Sequence, residues 1–309
     1  MGVLLIGSLN IDLVSRVETM VKPGETIMGK DFQTFPGGKG LNQAVAAARA
    51  GGEVTMVGVL GTDSNSQIIR RLMKDEKIDQ SFVSEVDGVC GTAIIEVDSS
   101  GQNRIIVIAG ANSKLKAKNV DEKALSSVKE KKILLAQLES PIEELEILFK
   151  RAKEEEFFTI LNPAPAAALS NSFVSYVDLL IPNQFEAETL TGIRISDEAS
   201  AIEAGKKLMA TGVGSVLITL GGDGSLLITK DGSQHFPAFS VSPIDTTAAG
   251  DAFCGALATS LSKGVSLQDA IPFASAAGAL ATTKTGATPS LPTASEISSM
   301  LINMNNKEG

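Results

Sequence analysis

The sequence predicts an α/β fold in which a central, mostly parallel sheet has helices on both faces and a small sheet is inserted between its units. Short apolar runs, rich in β-branched residues and bounded by turn residues, alternate with helical patterns along the 309 residues. This alternation is typical of βαβ units, whose parallel strands are covered on both faces. Residues 13–35 and 92–109 show a period of two instead and predict the inserted sheet.

The apolar runs that predict the strands of the main sheet are 3–6, 54–60, 132–138, 158–161, 177–181 and 215–220. The intervening helices are recognised by their ends. An alanine-rich helix over 41–50 stops at two glycines, and a helix over 141–155 is predicted to follow Ser140 as its N-cap. Because ligands of such sheets lie beyond the carboxyl ends of the strands, polar residues at those ends are site candidates.

The inserted sheet is predicted from two segments. Residues 13–35 alternate around a turn at 22–25, and residues 92–109 form a hairpin closed by 98–102. Four strands with one apolar face must cover something, which is the active site, a second subunit, or both. We therefore expect one domain over residues 1–309 that carries this sheet as an insertion.

The composition excludes several classes of function. The 43% apolar and 20% charged content is that of a soluble globular protein, and the net charge of −9 argues against a nucleic-acid partner. No apolar run reaches the roughly 18 residues that span a bilayer, and no secretory signal pattern is seen, so we expect a cytoplasmic protein. The single His235 and the separate Cys90 and Cys254 disfavour histidine catalysis and metal knuckles, and both cysteines are expected to be buried thiols.

The segment 245–254 joins a loop of small residues to an amphipathic helix with Phe253, Leu257 and Leu261 at helical spacing. Free backbone N–H groups and the helix dipole at such a start attract a phosphate-sized anion. Asp251 lies there, and its carboxylate would repel a phosphate unless it has another task, such as taking a proton from an attacking hydroxyl. The alternative is a first-turn residue that the helix dipole stabilises.

A glycine-rich turn over residues 36–43 leads into the first long helix. Its spacing matches neither the P-loop nor the dinucleotide fingerprint. Glycines let a ligand approach the backbone, and Lys39 and Asn42 supply donors suited to hydroxyl groups. A plain helix start after a glycine turn is the alternative.

Three polar residues at other strand ends are further candidates. Asn10 and Asp12, just past the first strand, would present an acceptor and donor set to vicinal hydroxyls of a sugar. Glu139 would anchor a helix, hold a ligand or bind Lys39. For each of the three, a structural cap is the alternative.

Two later segments suit a nucleotide and its metal. Asn183 and Glu186 would share one face of a helical turn, which suits a hydrated Mg²⁺ carrying phosphates, although a capping box explains the same pair. Residues 219–224 form a strand end and a glycine turn that would lie against nucleotide phosphates. A plain hairpin turn is equally compatible.

Together these segments resemble the ribokinase family of sugar kinases nearly from end to end. The glycine-rich residues 37–43 resemble one family signature and residues 245–251 the other, with Asn183 and Glu186 between them. The segments that resemble those of the family's ribose-phosphorylating members are 7–12, 109–112 and 137–141. The family's inserted sheet is a lid over the sugar that also forms a dimer, which agrees with the prediction above.

The resemblance implies a role for individual residues. The sugar would be held by Asn10, Asp12, Gly38, Lys39, Asn42 and Glu139. Asp251 would be the base, and the backbone of Ala248, Ala249, Gly250 and Asp251 would form an anion hole. The nucleotide would contact Asn183, Thr219, Gly221, Gly224 and Gly250, as well as Ser275, where family members often carry Asn or His near the adenine.

The resemblance also implies two cations. Glu186 and Asn183 would serve Mg²⁺ through water. A K⁺ ion would be held, largely by backbone carbonyls, at Asp245, Thr247, Ala281, Lys284, Gly286 and Ser290.

The activity that the resemblance implies is ATP-dependent phosphorylation of D-ribose at its 5-hydroxyl, by a homodimer that joins through the lid. The same chemistry on deoxyribose, fructose or a nucleoside is the nearest alternative. A non-catalytic sugar sensor is an alternative from another class, and Asp251 disfavours it because a sensor has no use for a base. A Rossmann dehydrogenase is excluded because no G-x-G-x-x-G follows the first strand.

Overall fold

Two sheets organise the computed structural model, which describes residues 2–305. The strands are β1 (Gly2–Ile6), β2 (Asn10–Arg16), β3 (Asp31–Gly37), β4 (Glu53–Leu60), β5 (Asp79–Glu85), β6 (Gly91–Val97), β7 (Asn103–Ile108), β8 (Ile133–Gln137), β9 (Phe158–Asn162), β10 (Leu179–Leu180), β11 (Ser215–Thr219), β12 (Ser225–Thr229) and β13 (Gly232–Phe236). The α-helices are α1 (Lys39–Arg49), α2 (Ser64–Asp75), α3 (Glu122–Ser127), α4 (Ile142–Glu154), α5 (Asn171–Val174), α6 (Gln184–Thr191), α7 (Glu198–Met209), α8 (Ala249–Ser262), α9 (Leu267–Ala281) and α10 (Ala294–Asn305). Met1 and residues 306–309, the ends of the predicted domain, lie outside the described residues.

The main sheet has nine strands within this range, in the order β13-β12-β11-β10-β9-β8-β1-β4-β5. In this spatial order, the seven strands β11, β10, β9, β8, β1, β4 and β5 pair in parallel. The two strands at the other edge, β12 and β13, pair antiparallel. The predicted, mostly parallel sheet is therefore confirmed. β1 lies between β8 and β4 with all of its residues buried, which explains its uninterrupted apolar run.

Apolar side chains cover both faces of the main sheet. Val3 and Leu5 of β1 belong to a cluster with residues of α1, α8 and α9, whereas Leu4 and Ile6 belong to a cluster with residues of α4 and α5. Successive side chains of a strand point to opposite faces, so one apolar run supplies both clusters. The predicted helices on both faces are confirmed.

The small sheet has the strand order β3-β2-β6-β7 among the described residues. β2 pairs antiparallel with β3 and parallel with β6, and β6 and β7 form the predicted hairpin. Its strands lie within residues 10–37 and 91–108, so it starts earlier than the predicted boundary at Leu13. Because Gly7, Ser8 and Leu9 alone separate β1 from β2, Asn10 and Asp12 belong to the small sheet and not to a loop after β1.

The outer part of the small sheet exposes apolar side chains. The register places Phe32, Ile94, Ile106 and Ile108 on one face, where they are 62%, 44%, 63% and 44% exposed. Apolar patches that stay in contact with water on a folded chain are typical of binding surfaces.

One predicted helix start is wrong. α4 begins at Ile142 with Pro141 in the cap position and no side-chain capping bond, so Ser140 is not its N-cap. The Pro141 carbonyl instead accepts the first helical bonds, from the backbone N–H groups of Glu144 and Leu145. Between residues 2 and 305, no helix is long and apolar enough to cross a membrane.

Candidate active site

Polar residues at the strand ends gather at one edge of the main sheet, as expected for parallel strands. Glu139 follows β8, Asn162 ends β9 and Asn183 follows β10. The helices α1 and α8 begin near the same edge and pack closely together. Gly255 permits this approach, because a Cβ at that position would lie 2.6 Å from the Gln43 carbonyl oxygen.

The start of α8 is an open turn. Ala248, the residue before the helix, has a φ of 59°, in the left-handed region that non-glycine residues seldom adopt. Gly250 is exposed, and a Cβ there would meet no atom within 4 Å. The turn thus leaves open space at the positive end of the helix dipole, which suits an anion.

Asp251 is the third residue of α8 and is only 7% exposed. Asn42 Nδ2 donates a hydrogen bond to Asp251 Oδ2 at 3.0 Å, and Gln43 Nε2 donates to Asp251 Oδ1 at 2.9 Å. Burial raises the pKa of Asp251, and the Lys39 charge and the two amide donors offset part of this rise. A buried carboxylate that is oriented in this way is equipped to accept a proton.

Three buried or half-buried amides, those of Gln43, Gln137 and Asn162, lie behind Asp251, and only Asn162 was a site candidate, as a polar residue at a strand end. Gln137 Nε2 donates to Gln43 Oε1 at 2.5 Å, and Gln43 Nε2 donates to Asn162 Oδ1 at 3.0 Å. Asn162 Nδ2 in turn donates to the Ile181 carbonyl at 2.8 Å. Gln137 and Asn162 are register partners at the ends of β8 and β9, so amides at strand ends were the signal in the sequence.

The glycine-rich turn before α1 wraps around Ser8. Gly38 has a φ of 89°, which favours glycine, and a Cβ there would lie 3.0 Å from the Asn10 backbone nitrogen. Glu139 Oε2 accepts hydrogen bonds from Ser8 Oγ at 2.5 Å and from the Lys39 backbone N–H at 3.1 Å. Glu139 therefore anchors the start of α1, which was one of the alternatives predicted for it. Ser8, which also bonds to Glu139, was not predicted as a site residue from the sequence.

The small sheet brings Asn10 and Asp12 to the same place. Asn10 is 3% exposed, and its Oδ1 accepts a hydrogen bond from Asn112 Nδ2 at 2.7 Å. Asp12 lies two residues further along β2 and so on the same face of the sheet. Burial, and then the charges of Glu139 and Asp251, raise the pKa of Asp12 to about 7.

Lys39 is the cation among these carboxylates. Burial alone would lower its pKa, but the charges of Asp251, Glu139 and Glu186 outweigh burial and raise the pKa above its ordinary value of 10.5. The ammonium group therefore stays charged. Three residues further along α1, Asn42 Oδ1 is buried and has no hydrogen-bond partner among the described residues, which leaves an acceptor for a ligand hydroxyl.

Asn183 and Glu186 form the capping box that was one of the predicted alternatives. The Asn183 backbone N–H donates to Glu186 Oε2 and the Glu186 backbone N–H donates to Asn183 Oδ1, both at 2.8 Å. Asn183 also forms a parallel bridge to Thr219. Glu186 is 7% exposed, and burial raises its pKa, so a nearby cation would stabilise its charged form.

The backbone after Thr219 forms a hairpin turn between β11 and β12. Gly221 and Gly224 both have positive φ values, of 59° and 91°. A Cβ at Gly221 or at Gly222 would meet no atom within 4 Å. This turn is therefore open on one side, and the hairpin leaves room for a ligand against its backbone.

Two loops meet behind the start of α8. Asp245 Oδ1 accepts hydrogen bonds from the Thr247 backbone N–H at 2.9 Å and from Thr247 Oγ1 at 2.6 Å, and Asp245 Oδ2 accepts from the Gly286 N–H at 2.9 Å. Burial alone would raise the pKa of Asp245, but these bonds outweigh it and lower the pKa. The Lys284 ammonium turns to Glu296 at 2.8 Å, which leaves only the Lys284 backbone for an ion.

The remaining predicted site residues lie in the adjoining helix and loop. Ala281 is buried at the end of α9, Ser275 is half-buried in the same helix, and Ser290 is buried with its hydroxyl on the Ala287 carbonyl at 2.8 Å. Cys90 and Cys254 are both buried and unpaired, as predicted. Between residues 2 and 305, no three His, Cys, Asp or Glu side chains are grouped as a metal site.

Residues 2–294 match the family model of the pfkB family carbohydrate kinases. The chain belongs to this family. A ribokinase of Haemophilus influenzae is 40% identical over 94% of this chain and 95% of its own length. A ribokinase of Arabidopsis thaliana, solved in complex with ribose and ATP, is 31% identical with a TM-score of 0.91 over 97% of this chain and 98% of its own. A deoxyribokinase of Salmonella typhi is 34% identical over 84% of this chain and 85% of its own length.

The carbohydrate kinase should show a pH-dependent stability that depends on Asp12. Because its pKa of about 7 lies above its ordinary value of 3.8, the folded protein binds this proton more tightly than the unfolded chain. The stabilisation from this proton is lost as the pH rises through the folded pKa. The free energy of unfolding of Asp12→Asn should therefore exceed that of the wild type by an amount that grows from roughly pH 4 to pH 7. These limits are the ordinary pKa and the raised pKa of Asp12.

Urea unfolding at several pH values measures this difference. Asp31→Asn is the matched control, because Asp31 lies in the neighbouring strand of the same sheet and is exposed. A stability difference between Asp12→Asn and the wild type that stays constant with pH would contradict the prediction.

Proposed function

We propose that this chain transfers the γ-phosphoryl group of ATP to the 5-hydroxyl of D-ribose, giving D-ribose 5-phosphate and ADP. The observation that carries the proposal is the buried Asp251, held by Asn42 and Gln43 beside the open turn at Gly250. The charges of Lys39 and Glu139 act on the pKa of this carboxylate, and its own charge acts on the pKa of Glu186 in the Asn183–Glu186 turn. The similarity to ribokinases over nearly the whole chain supports ribose as the acceptor.

In this proposal Asp251 is the base. It takes the proton from the ribose 5-hydroxyl as the oxygen attacks the phosphorus atom. The backbone from Ala248 to Asp251 forms an anion hole, where N–H groups and the helix dipole stabilise charge on the transferred phosphoryl group. Both groups belong to one helix start, so their separation is fixed.

The sugar is held by donors and acceptors around Asp251. Asn42 Oδ1 supplies the buried acceptor, and the Lys39 ammonium supplies a charged donor. The six sugar-binding residues in this proposal are Asn10, Asp12, Gly38, Lys39, Asn42 and Glu139. Glu139 acts partly through the start of α1, which it anchors.

The nucleotide lies across the other half of the site. Its proposed contacts are Asn183, Thr219, Gly221, Gly224, Gly250 and Ser275. The open hairpin turn at Gly221 fits this role because a ligand meets no side chain there. Glu186 with Asn183 fits a water-mediated contact to Mg²⁺. In such sites the protein usually supplies one or two carboxylates, and the substrate phosphates and water supply the other ligands. When bound, Mg²⁺ would supply positive charge that neutralises the phosphates.

The two loops behind α8 are the proposed K⁺ site, with Asp245, Thr247, Ala281, Lys284, Gly286 and Ser290 around it. The chemistry fits, because one carboxylate of lowered pKa lies among backbone groups that Asp245 holds together. The K⁺ ion would supply electrostatic support to the turn that precedes the anion hole. The Asp245 carboxylate itself holds the backbone of the two loops together at Thr247 and Gly286.

The small sheet, predicted over 13–35 and 92–109, is proposed as a lid that closes over the sugar and excludes water, which competes as an acceptor. Its exposed apolar face, including Ile94 and Ile106, is the proposed dimer contact. The cytoplasmic location expected from the sequence stays a prediction.

Ribose should give the highest kcat/KM among sugars in a coupled assay of ADP formation. A site that hydrogen-bonds a hydroxyl rejects the analogue that lacks it, so deoxyribose should be a poorer acceptor. Fructose and a nucleoside complete the panel. A higher kcat/KM for any of these would overturn the ribose assignment but leave the kinase chemistry intact.

Asp251→Asn should keep the binding of ATP and ribose but lower kcat by roughly 10²–10⁴-fold, since it removes the base. Calorimetric titration and the coupled assay measure the two effects. Asp269→Asn is the matched control, because Asp269 is likewise the third residue of its helix, α9, but is exposed. Equal, small effects of the two substitutions would support the alternative in which Asp251 only stabilises its helix.

Replacing K⁺ in the assay with tetramethylammonium should lower kcat, because that ion is too large to lie between the two loops. Adding K⁺ back should restore the rate of the wild type. Asp245→Asn should need a higher K⁺ concentration than the wild type to reach half of its maximal rate. An unchanged rate without K⁺ would remove the ion site from the mechanism.

A further inference from the structure

Gln43 differs from its neighbour Asn42 in what it can contact. Asn42 keeps an unpartnered acceptor beside the sugar site, whereas Gln43 is fully buried and engages each end of its amide with protein groups. Gln43 Oε1 accepts from Gln137, and Gln43 Nε2 donates to both Asn162 and Asp251. Since these three bonds use both amide hydrogens, Gln43 has no donor left for a substrate. Of its three side-chain partners, Asp251 is the one to which we assign a chemical role.

The bonds to Gln43 determine which way its amide faces. The Asp251 carboxylate accepts, so the group of Gln43 that lies 2.9 Å from Asp251 Oδ1 must be the nitrogen. This leaves the Gln43 oxygen facing Gln137, whose Nε2 donates to it at 2.5 Å. Asn162 is itself oriented by its donation to the Ile181 carbonyl. The chain of amides therefore runs from the ends of β8 and β9 to the carboxylate at the start of α8.

The two donors to Asp251 hold the plane of its carboxylate. Asn42 bonds to Oδ2 and Gln43 bonds to Oδ1, so rotation about the Cβ–Cγ bond would break both. Each oxygen has two lone pairs, and one bond to each leaves a lone pair on each for an incoming hydroxyl. A small error in the position of a catalytic group strongly reduces its rate, so this restraint has a kinetic consequence.

We propose that Gln43 is a positioning residue, whose amide, oriented by Gln137 and Asn162, holds the Asp251 carboxylate in the geometry for proton transfer. The inference rests on the proposed role of Asp251 as the base. It adds a residue that touches neither sugar nor nucleotide. It also joins the main sheet to the helix that carries the base.

A substitution of Gln43 removes none of the charged and titratable groups around Asp251. They are Lys39 at the start of α1, Glu139 after β8, Glu186 in α6, Asp12 in β2 and Cys254 in α8. The Gln43 donor lowers the pKa of Asp251. Its removal therefore raises this pKa, and the acidic limb of the pH profile moves to higher pH.

The test substitution is Gln43→Met, which keeps the length of the side chain and removes its donor and acceptor. We expect kcat to fall by about 10²-fold, with KM for ribose changed by less than about threefold, because the sugar contacts remain. The acidic limb of kcat/KM should move to higher pH. Thr259→Val is the matched control, since buried Thr259 Oγ1 donates to the Ala47 carbonyl at 2.9 Å and also joins α8 to α1. It should lower stability without moving the pH profile.

A second readout does not depend on activity. Infrared difference spectroscopy follows the protonation of Asp251, whose band is identified by its loss in Asp251→Asn. Gln43→Met should titrate at higher pH than the wild type. If the wild type phosphorylates no sugar, the proposed function fails, and this titration still tests the restraint on Asp251.

Gln137→Met covers the case in which Gln43→Met does not fold. It removes the bond that orients the Gln43 amide and should shift kcat and the pH profile in the same direction by a smaller amount. A pH profile and infrared titration that match those of Thr259→Val, in whichever of the two variants folds, would overturn the inference.

Discussion

The buried charge of Asp251 is the constraint on which the rest of the site depends. A carboxylate removed from water is unfavourable by several kcal/mol unless donors or a cation compensate for the lost hydration. Asn42 and Gln43 supply the donors, and Lys39 supplies the charge. All three come from the first turns of α1, so α1 and α8 must lie close together. Gly255, one turn after Asp251, makes that distance possible.

The same constraint explains why the strand ends matter. Glu139, which follows β8, holds the start of α1, and Gln137 at the end of β8 orients Gln43. One strand thus positions both the helix and one of its donors. The parallel register carries this effect to β9, where Asn162 lies opposite Gln137. The central sheet therefore acts as the rigid support of the Asp251 carboxylate.

The sequence predicted the architecture well, because alternating apolar runs and helical patterns report burial directly. It also predicted that Asp251 lies at a helix start, since a helix start after a loop of small residues is a local feature. It predicted Asn162 only as a polar residue at a strand end, and it gave no role to Gln43 or Gln137. An amide becomes informative only when its partners are known, and the partners of Gln43 lie 94 and 119 residues away. Asn10 and Asp12 lie just past the first strand, as predicted, but the small sheet begins at Asn10 and not at Leu13, since only three residues link β1 to β2.

The charge balance of the site restricts what can enter it. Lys39 is set against Asp12, Glu139, Glu186 and Asp251, and the raised pKa of three of these carboxylates reflects both burial and mutual repulsion. A neutral polyol adds no charge and offers hydroxyls to both acceptors and donors. A polyphosphate adds negative charge and would be repelled unless it enters with a cation of its own. The charge balance around Asp251 thus favours a neutral sugar and a nucleotide that carries a bound metal ion.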